Sequence, residues 1–356
     1  MFALIGDILE AVREPNSFRT LQDLEFVRLP NGALNYSTGN NAVVFSIRID
    51  GHKYAMRCYR RTKPYLRELY GEMYLPEELN VGGFFHPKYI DVVLCDWVEG
   101  RSLAQVVEGC NRDEIRELAN SFDRLALSLI DADWAHGDLS PDNIIVDEDG
   151  ELHLIDLDAR YTPELEGCES SELGTRAYQS KLRTSHDFHA RIDDFSIVII
   201  STSLHALSID PNLRDEFPFL DGLLINGERV EDERYEVMNQ VLELFARSGY
   251  FAQYRALKSL RFNRLVIDIL PDLLRTNNLI TSDLELFISW GICGYCDSAS
   301  GEVIIPPLFD EAFEFRGDYA LVKVQRWWFY IDKSGRAIES CGEWQDGKPS
   351  KKRPQY

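Results

Sequence analysis

The sequence predicts an α+β fold, and three observations carry that expectation. The N-terminal segment is built of short apolar runs broken by turn signals. The stretch from about residue 193 to 279 follows helical periodicity, and beyond residue 283 short strands return between Gly and Asp turns. The expected order is a small β-rich lobe over residues 1–99 and a larger helical lobe over 100–283. A small all-β module over 284–342 and a polar tail over 343–356 complete it.

In chain order, Ala42-Val43-Val44-Phe45-Ser46-Ile47-Arg48-Ile49 is apolar and partly alternating, Asp50-Gly51 is a turn signal, and Lys53-Tyr54-Ala55-Met56-Arg57-Cys58-Tyr59 resumes the pattern, which predicts a hairpin. Residues 64–75 carry Leu66, Leu69, Tyr70 and Met73 at helical spacing, with Pro76 as the stop. Residues 89–98 predict a strand closed by Glu99-Gly100. Residues 113–130 predict an amphipathic helix with Ile115, Leu118, Phe122, Leu125 and Leu129 on one face. Two short strands follow, over 143–146 and 152–157, separated by Asp147-Glu148-Asp149-Gly150. The run over 195–209 is the most apolar and predicts a buried helix or strand. Past residue 283, strands are expected over 303–307, 319–324 and 327–331.

Charge narrows the function. With 38 Lys and Arg against 59 Asp and Glu, the net charge is −21, and such a field repels nucleic-acid backbones while leaving room for a small anion held by a few groups. No partner of nucleic-acid or membrane type is expected: the run over 195–209 is shorter than the ~20 residues a bilayer needs, and Asp7 and Glu10 interrupt any secretory core. Seven cysteines spread over 356 residues make no disulfide framework, which leaves cytoplasmic residence as the expectation. Cys293 and Cys296 form a C-x-x-C, but only Cys341 follows and no His lies beyond His205, so packing is preferred to a zinc or redox site.

The chemistry-bearing stretch is Ala135-His136-Gly137-Asp138-Leu139-Ser140-Pro141-Asp142-Asn143-Ile144-Ile145-Val146, followed by Leu154-Ile155-Asp156-Leu157-Asp158. Asp138, Asn143 and Asp156 lie at or beside the ends of short apolar strands. Transfer of a γ-phosphoryl group needs a carboxylate to orient the attacking hydroxyl and accept its proton, and oxygen ligands for magnesium. This set supplies both.

The stretch resembles the catalytic core of the protein kinase-like superfamily, with its H-R-D-x-x-x-x-N and D-F-G signatures. The resemblance implies a bilobal kinase-like fold using ATP and Mg2+, with Asp138 as catalytic base, Asn143 and Asp156 as metal ligands, and His136 organising the backbone. Upstream, Ser37-Thr38-Gly39-Asn40-Asn41-Ala42-Val43-Val44 falls on the G-x-G-x-x-G-x-V phosphate loop, with Ser37 and Ala42 in place of two glycines. Tyr54-Ala55-Met56-Arg57 aligns with V-A-I-K and puts Arg57 where lysine is usual, its expected partner being Glu72 or Glu68. Leu94-Cys95-Asp96-Trp97-Val98 resembles the segment that holds adenine, which implies main-chain contacts from Asp96 and Val98 with Val44 and Ala55 covering the base. Together these segments look like a divergent bacterial group of serine/threonine kinase-like proteins, over roughly residues 20–210.

Departures from the template are specific. Asp158 stands at the glycine of D-F-G, Ser140 at the lysine two after the base, and Gly137 at the arginine beside it. Control through activation-loop phosphorylation is therefore not expected. Glu172-Leu173-Gly174-Thr175-Arg176-Ala177-Tyr178 resembles G-T-x-x-Y, and Asp193-Asp194-Phe195-Ser196 the D-x-W-S that opens a long buried helix, where Asp193 is expected to hold the catalytic loop. Beyond them, Trp290-Gly291, Tyr295 and Gly301 through Ala312 resemble a WG repeat, and Tyr330 marks a second start after a period of about 35 residues. The leading expectation is a phosphotransferase acting on Ser/Thr hydroxyls of a protein substrate. A pseudokinase scaffold and a small-molecule phosphotransferase of the aminoglycoside or choline kinase type are the alternatives.

Overall fold

Asp50 and Gly51 take left-handed backbone angles (φ 51° and 82°), the pair that a two-residue hairpin turn demands. The computed structural model containing that hairpin describes residues 2–39, 41–218, 222–262, 267, 270–275, 283–345 and 348–349. It has two compact units, Met1–Gly100 and Arg101–Tyr356.

The first unit contains α1 (Ile5–Ala11), β1 (Glu25–Phe26), β2 (Tyr36–Thr38), β3 (Ala42–Ile49), β4 (His52–Tyr59), α2 (Leu66–Tyr70), β5 (Tyr74–Asn80) and β6 (Tyr89–Asp96). Its sheet is antiparallel, in the order β1-β3-β4-β6-β5 with β2 on β3. Side chains alternate between faces along each strand. Val43, Phe45 and Ile47 of β3 therefore line up with Met56 and Cys58 of β4 and Val92 of β6, and Ile8 and Ala11 of α1 join that core. Burial pushes the Cys58 thiol up, as suits a packing cysteine.

One expectation fails here. The helix expected over 64–75 is confined to Leu66–Tyr70, a short 3-10 turn follows, and the chain enters β5 at Tyr74. Gly71 at φ 54° ends the helical path. Tertiary demand then wins over periodicity: β5 completes the edge of β6, and the buried Glu78 carboxylate accepts from the N–H groups of Thr20 and Leu21 and the Thr20 hydroxyl.

The second unit begins with β7 (Arg101–Ser102), α3 (Leu103–Gly109) and α4 (Arg112–Ile130). Asn111 caps α4, accepting from Asp113 and Glu114 N–H while the Glu114 carboxylate returns to Asn111 N–H, a reciprocal capping box. β8 (Ile144–Val146) and β9 (Leu152–Leu154) join β7 in a small sheet. The apolar run becomes α5 (Asp194–Ile209), buried along nearly its whole length. Ser201 and His205 of α5 both bond the Asp123 carboxylate of α4. α6 (Leu213–Glu216), α7 (Glu236–Ser248), α8 (Phe251–Ser259) and α9 (Leu270–Arg275) complete the helices.

The C-terminal strands are β10 (Leu284–Ser289), β11 (Ile292–Asp297), β12 (Val303–Phe309), β13 (Glu311–Ala312), β14 (Ala320–Val324), β15 (Trp327–Ile331), β16 (Ala337–Gln345) and β17 (Lys348–Pro349). They form a three-stranded and a five-stranded sheet. Trp290-Gly291 is the β10–β11 turn, with Trp290 at φ 51° and fully exposed. Gln325, at φ 54°, opens the equivalent β14–β15 turn, at an offset of 325 − 290 = 35. Asp297 and Asp332 repeat at the same offset, each accepting main-chain N–H groups in its own turn. The strands over 284–342 lie in the same compact unit as the helices. Phe251 of α8 meets Phe309 and Phe329 edge-on at 5.2 and 4.9 Å. Buried Arg255 donates to the Leu308 carbonyl and the Asp310 carboxylate.

All seven cysteines are free thiols. Among the described residues no helix is long and apolar enough to cross a membrane. The basic part of the tail, residues 350–356, lies outside the described residues.

Candidate functional site

In the second unit, Ala135 and Tyr161 exchange main-chain hydrogen bonds at 3.1 and 3.0 Å, which brings residues 136–138 beside 155–159. His136 is buried; its Nδ1 accepts from the Asp138 N–H at 3.2 Å, so Nε2 carries the proton it donates to the Ile155 carbonyl at 2.8 Å. The Asp193 carboxylate accepts from the N–H groups of His136 (2.6 Å) and Gly137 (2.9 Å). Asp193 thus holds the main chain at residues 136 and 137.

Asp138, Asn143 and Asp156 are brought together. The Asn143 side-chain amide donates to the Asp138 carbonyl at 2.8 Å, and its main-chain carbonyl accepts from Ile155 N–H at 3.0 Å, immediately before Asp156. Asp156 sits in the left-handed region (φ 61°, ψ 60°), which few residues other than Gly adopt and which concentrates at functional sites. Burial pushes the Asp138 carboxyl up, and hydrogen bonds from Thr175 oppose that shift.

The Thr175 N–H donates to Oδ1 of Asp138 at 2.6 Å. Gly174, at φ 75°, allows that approach, because a Cβ there would stand 3.0 Å from the Asp138 Oδ1 and from the Gly137 carbonyl. Gly137 is equally constrained: at φ 79° its Cβ would lie 2.0 Å from the Ala159 carbonyl oxygen, so no arginine fits at that position. Asp158 and Ser140 are buried.

Sequence reasoning missed two buried residues, Arg183 and Gln179. Arg183 donates to the Gly137 carbonyl and to Gln179 Oε1, both at 2.6 Å. No local pattern marks either residue, since apart from each other their partners, the Gly137 carbonyl and Ser196, lie 46 and 17 residues away.

A metal is implied by the resemblance, and the donor set fits one. The Asn143 Nδ2 is spent on the Asp138 carbonyl, which leaves its Oδ1 as an acceptor, and Asp156 adds a carboxylate directly after the residue that bonds the Asn143 main chain. One amide and one carboxylate oxygen, completed by phosphate and water, suit magnesium. Among the described residues no group of three or more His, Cys, Asp or Glu converges on a point.

In the first unit, cross-strand register places Val44 opposite Arg57, and Ser46 opposite Ala55. Val44, Ala55 and Arg57 therefore share the face turned away from the Val43–Phe45 core, with Ala42 beside them and Arg57 buried. Ser37 pairs with Val44, and Gly39 N–H closes the turn onto the Ala42 carbonyl at 2.9 Å. Asn40, in that loop, lies outside the described residues. Asp96 ends β6, its carboxylate 3.0 Å from His52 Nε2, and Val98 follows, half-buried. Glu68 and Glu72 are exposed, Glu68 on α2 and Glu72 in the 3-10 turn after it.

No curated protein matches the chain, and the family model for the WG containing repeat matches residues 294–325.

Proposed function

We propose that the protein is an ATP- and magnesium-dependent phosphotransferase with a bilobal kinase-like body, acting on Ser/Thr hydroxyls of a protein substrate. The observation that carries this reading is the joining of Asp138, Asn143 and Asp156 through the Asn143 amide and carbonyl. Asp138 is the base. Thr175 holds one of its oxygens, which leaves the other to orient the hydroxyl. As the hydroxyl oxygen bonds to the γ-phosphorus, the bond to the bridging β–γ oxygen breaks and the hydroxyl proton passes to Asp138. Asn143 and Asp156 hold the metal, whose chemistry is to neutralise charge developing on the phosphates. In the first unit, Ser37, Gly39 and Ala42 form the phosphate turn and Arg57 is the phosphate cation, with Glu72 as its carboxylate partner. Val44, Ala55, Asp96 and Val98 hold the base.

Burial of Ser140, where kinases place a phosphate-contacting lysine, favours a second reading: a nucleotide-binding module without turnover. Radiolabelled transfer from ATP by the wild type, Asp138→Ala and Asp156→Ala decides between them. The first reading expects label on the protein or on added substrate, lost in both variants. A wild type whose melting temperature rises with ATP and magnesium but that transfers no label establishes the second. No transfer and no thermal shift overturns both.

A further inference from the structure

Arg183 is 5% exposed and lies 46 residues from the group it bonds, the Gly137 carbonyl at 2.6 Å. The same Nη1 donates to Gln179 Oε1 at 2.6 Å, and the Gln179 amide donates to Ser196 Oγ at 3.3 Å, near the start of α5. The guanidinium is thus anchored to the most buried helix of the unit.

Its placement is costly. Arg183 Nε and Nη2 are buried and find no hydrogen-bond partner among the described residues. Burial also lowers its pKa, while Asp193 and Asp138 favour its charged form. A methionine of similar volume would remove those two orphaned donors while taking the donor away from the Gly137 carbonyl and Gln179 Oε1. What the cation supplies is restraint on Gly137, the most permissive residue type, set directly before Asp138. The Gly137 N–H is held by Asp193, its carbonyl by Arg183, and the following N–H by His136.

We propose that Arg183 is a positioning residue for Asp138, fixing the 137–138 peptide through the Gly137 carbonyl. The inference rests on the phosphotransfer reading of Asp138. It also places a cation at the loop that reaches Gly137 from position 183. Because its Nη1 already holds the Gly137 carbonyl, the loop is held without a phosphate on a neighbouring segment.

The test compares Arg183→Met, Arg183→Lys and Arg183→Gln with the wild type. In Arg183→Met, kcat is expected to fall about 100-fold with the KM for ATP held within about two-fold. Arg183→Lys, which keeps a charged donor, is expected to recover most of the loss. Wild-type kcat in Arg183→Met overturns the proposal, and so does a loss that lysine leaves unchanged. If Arg183→Met does not fold, Arg183→Gln takes its place with the same expectations. If neither folds, Arg183 is a stability residue and the proposal fails.

Should the wild type prove inactive, the phosphotransfer reading fails, and amide hydrogen exchange decides the positioning role separately. Faster exchange at residues 136–138 and 175 in Arg183→Met, with α4 unchanged, supports it. Unchanged exchange at those residues overturns it.

Discussion

The main-chain N–H of Thr175 donates to Oδ1 of Asp138 at 2.6 Å. This contact gives Asp138 one satisfied oxygen inside a site whose burial disfavours its charge. Burial is the larger effect, so the folded carboxyl keeps its proton to higher pH than the unfolded one.

The sign of the stability effect follows. Ionising Asp138 costs the fold stability, beginning as pH rises above the unfolded value of 3.8 and complete above the raised folded value. Asp138→Asn keeps the shape and removes the charge. It is expected to stabilise the protein by about 0.5–2 kcal/mol at neutral pH, a gain that shrinks as pH falls toward the unfolded value. Thermal melts across that range check it. Phosphotransfer should show the complementary profile, rising with pH as Asp138 loses its proton.

Asp193→Ala removes the acceptor of two main-chain N–H groups, those of His136 and Gly137. Orphaned buried donors cost about 1–3 kcal/mol each, so urea denaturation should show a loss of about 2–6 kcal/mol. Asp193→Asn retains one acceptor oxygen and should fall between the two. Equal stability of Asp193→Ala and the wild type would refute the anchoring role.

Gly137→Ala and Gly301→Ala separate two penalties. Both glycines have positive φ, 79° and 74°, but a Cβ at 137 meets the Ala159 carbonyl at 2.0 Å whereas one at 301 meets nothing within 4 Å. The Gly301 variant should lose about 1 kcal/mol from backbone strain alone. The Gly137 variant should lose at least a further ~1–3 kcal/mol from overpacking and should disturb the loop carrying Asp138.

The C-terminal strands and the helices share one core through Phe251, Phe309 and Phe329. They should unfold together: with Trp97 and Trp134 replaced by Phe, every remaining tryptophan lies at or beyond residue 290, and their fluorescence is expected to change in the same transition as the far-ultraviolet signal of the helices. Phe251→Ala should cost about 3–5 kcal/mol and lower the midpoint by both probes. Two separated transitions would show that the strands are an independent module.

Much of the local structure was legible because its causes are local. Asp50-Gly51 dictates a hairpin, the apolar face of residues 113–130 dictates a helix, and Asp297 and Asp332 close their turns with their own side chains. β5 was not legible, because residues 64–75 carry a helical pattern and only the edge of β6 and the partners of Glu78 make 74–80 a strand. The grouping of Asp138, Asn143 and Asp156 could be anticipated because two short strands and a turn separate them. The closure of Thr175 and Arg183 on the same loop could not.

By itself, the sequence determined most of the order of elements, the net acidic charge, and the identity of the carboxylate and amide side chains at 138, 143 and 156. These follow from residue chemistry and from spacing along the chain. Tertiary structure alone decided that Arg183 reaches the Gly137 carbonyl, that Gly174 lets Thr175 reach Asp138, and that the C-terminal strands pack on α8. Each of these depends on contacts between residues far apart in sequence, and packing selects such contacts only once the elements have formed.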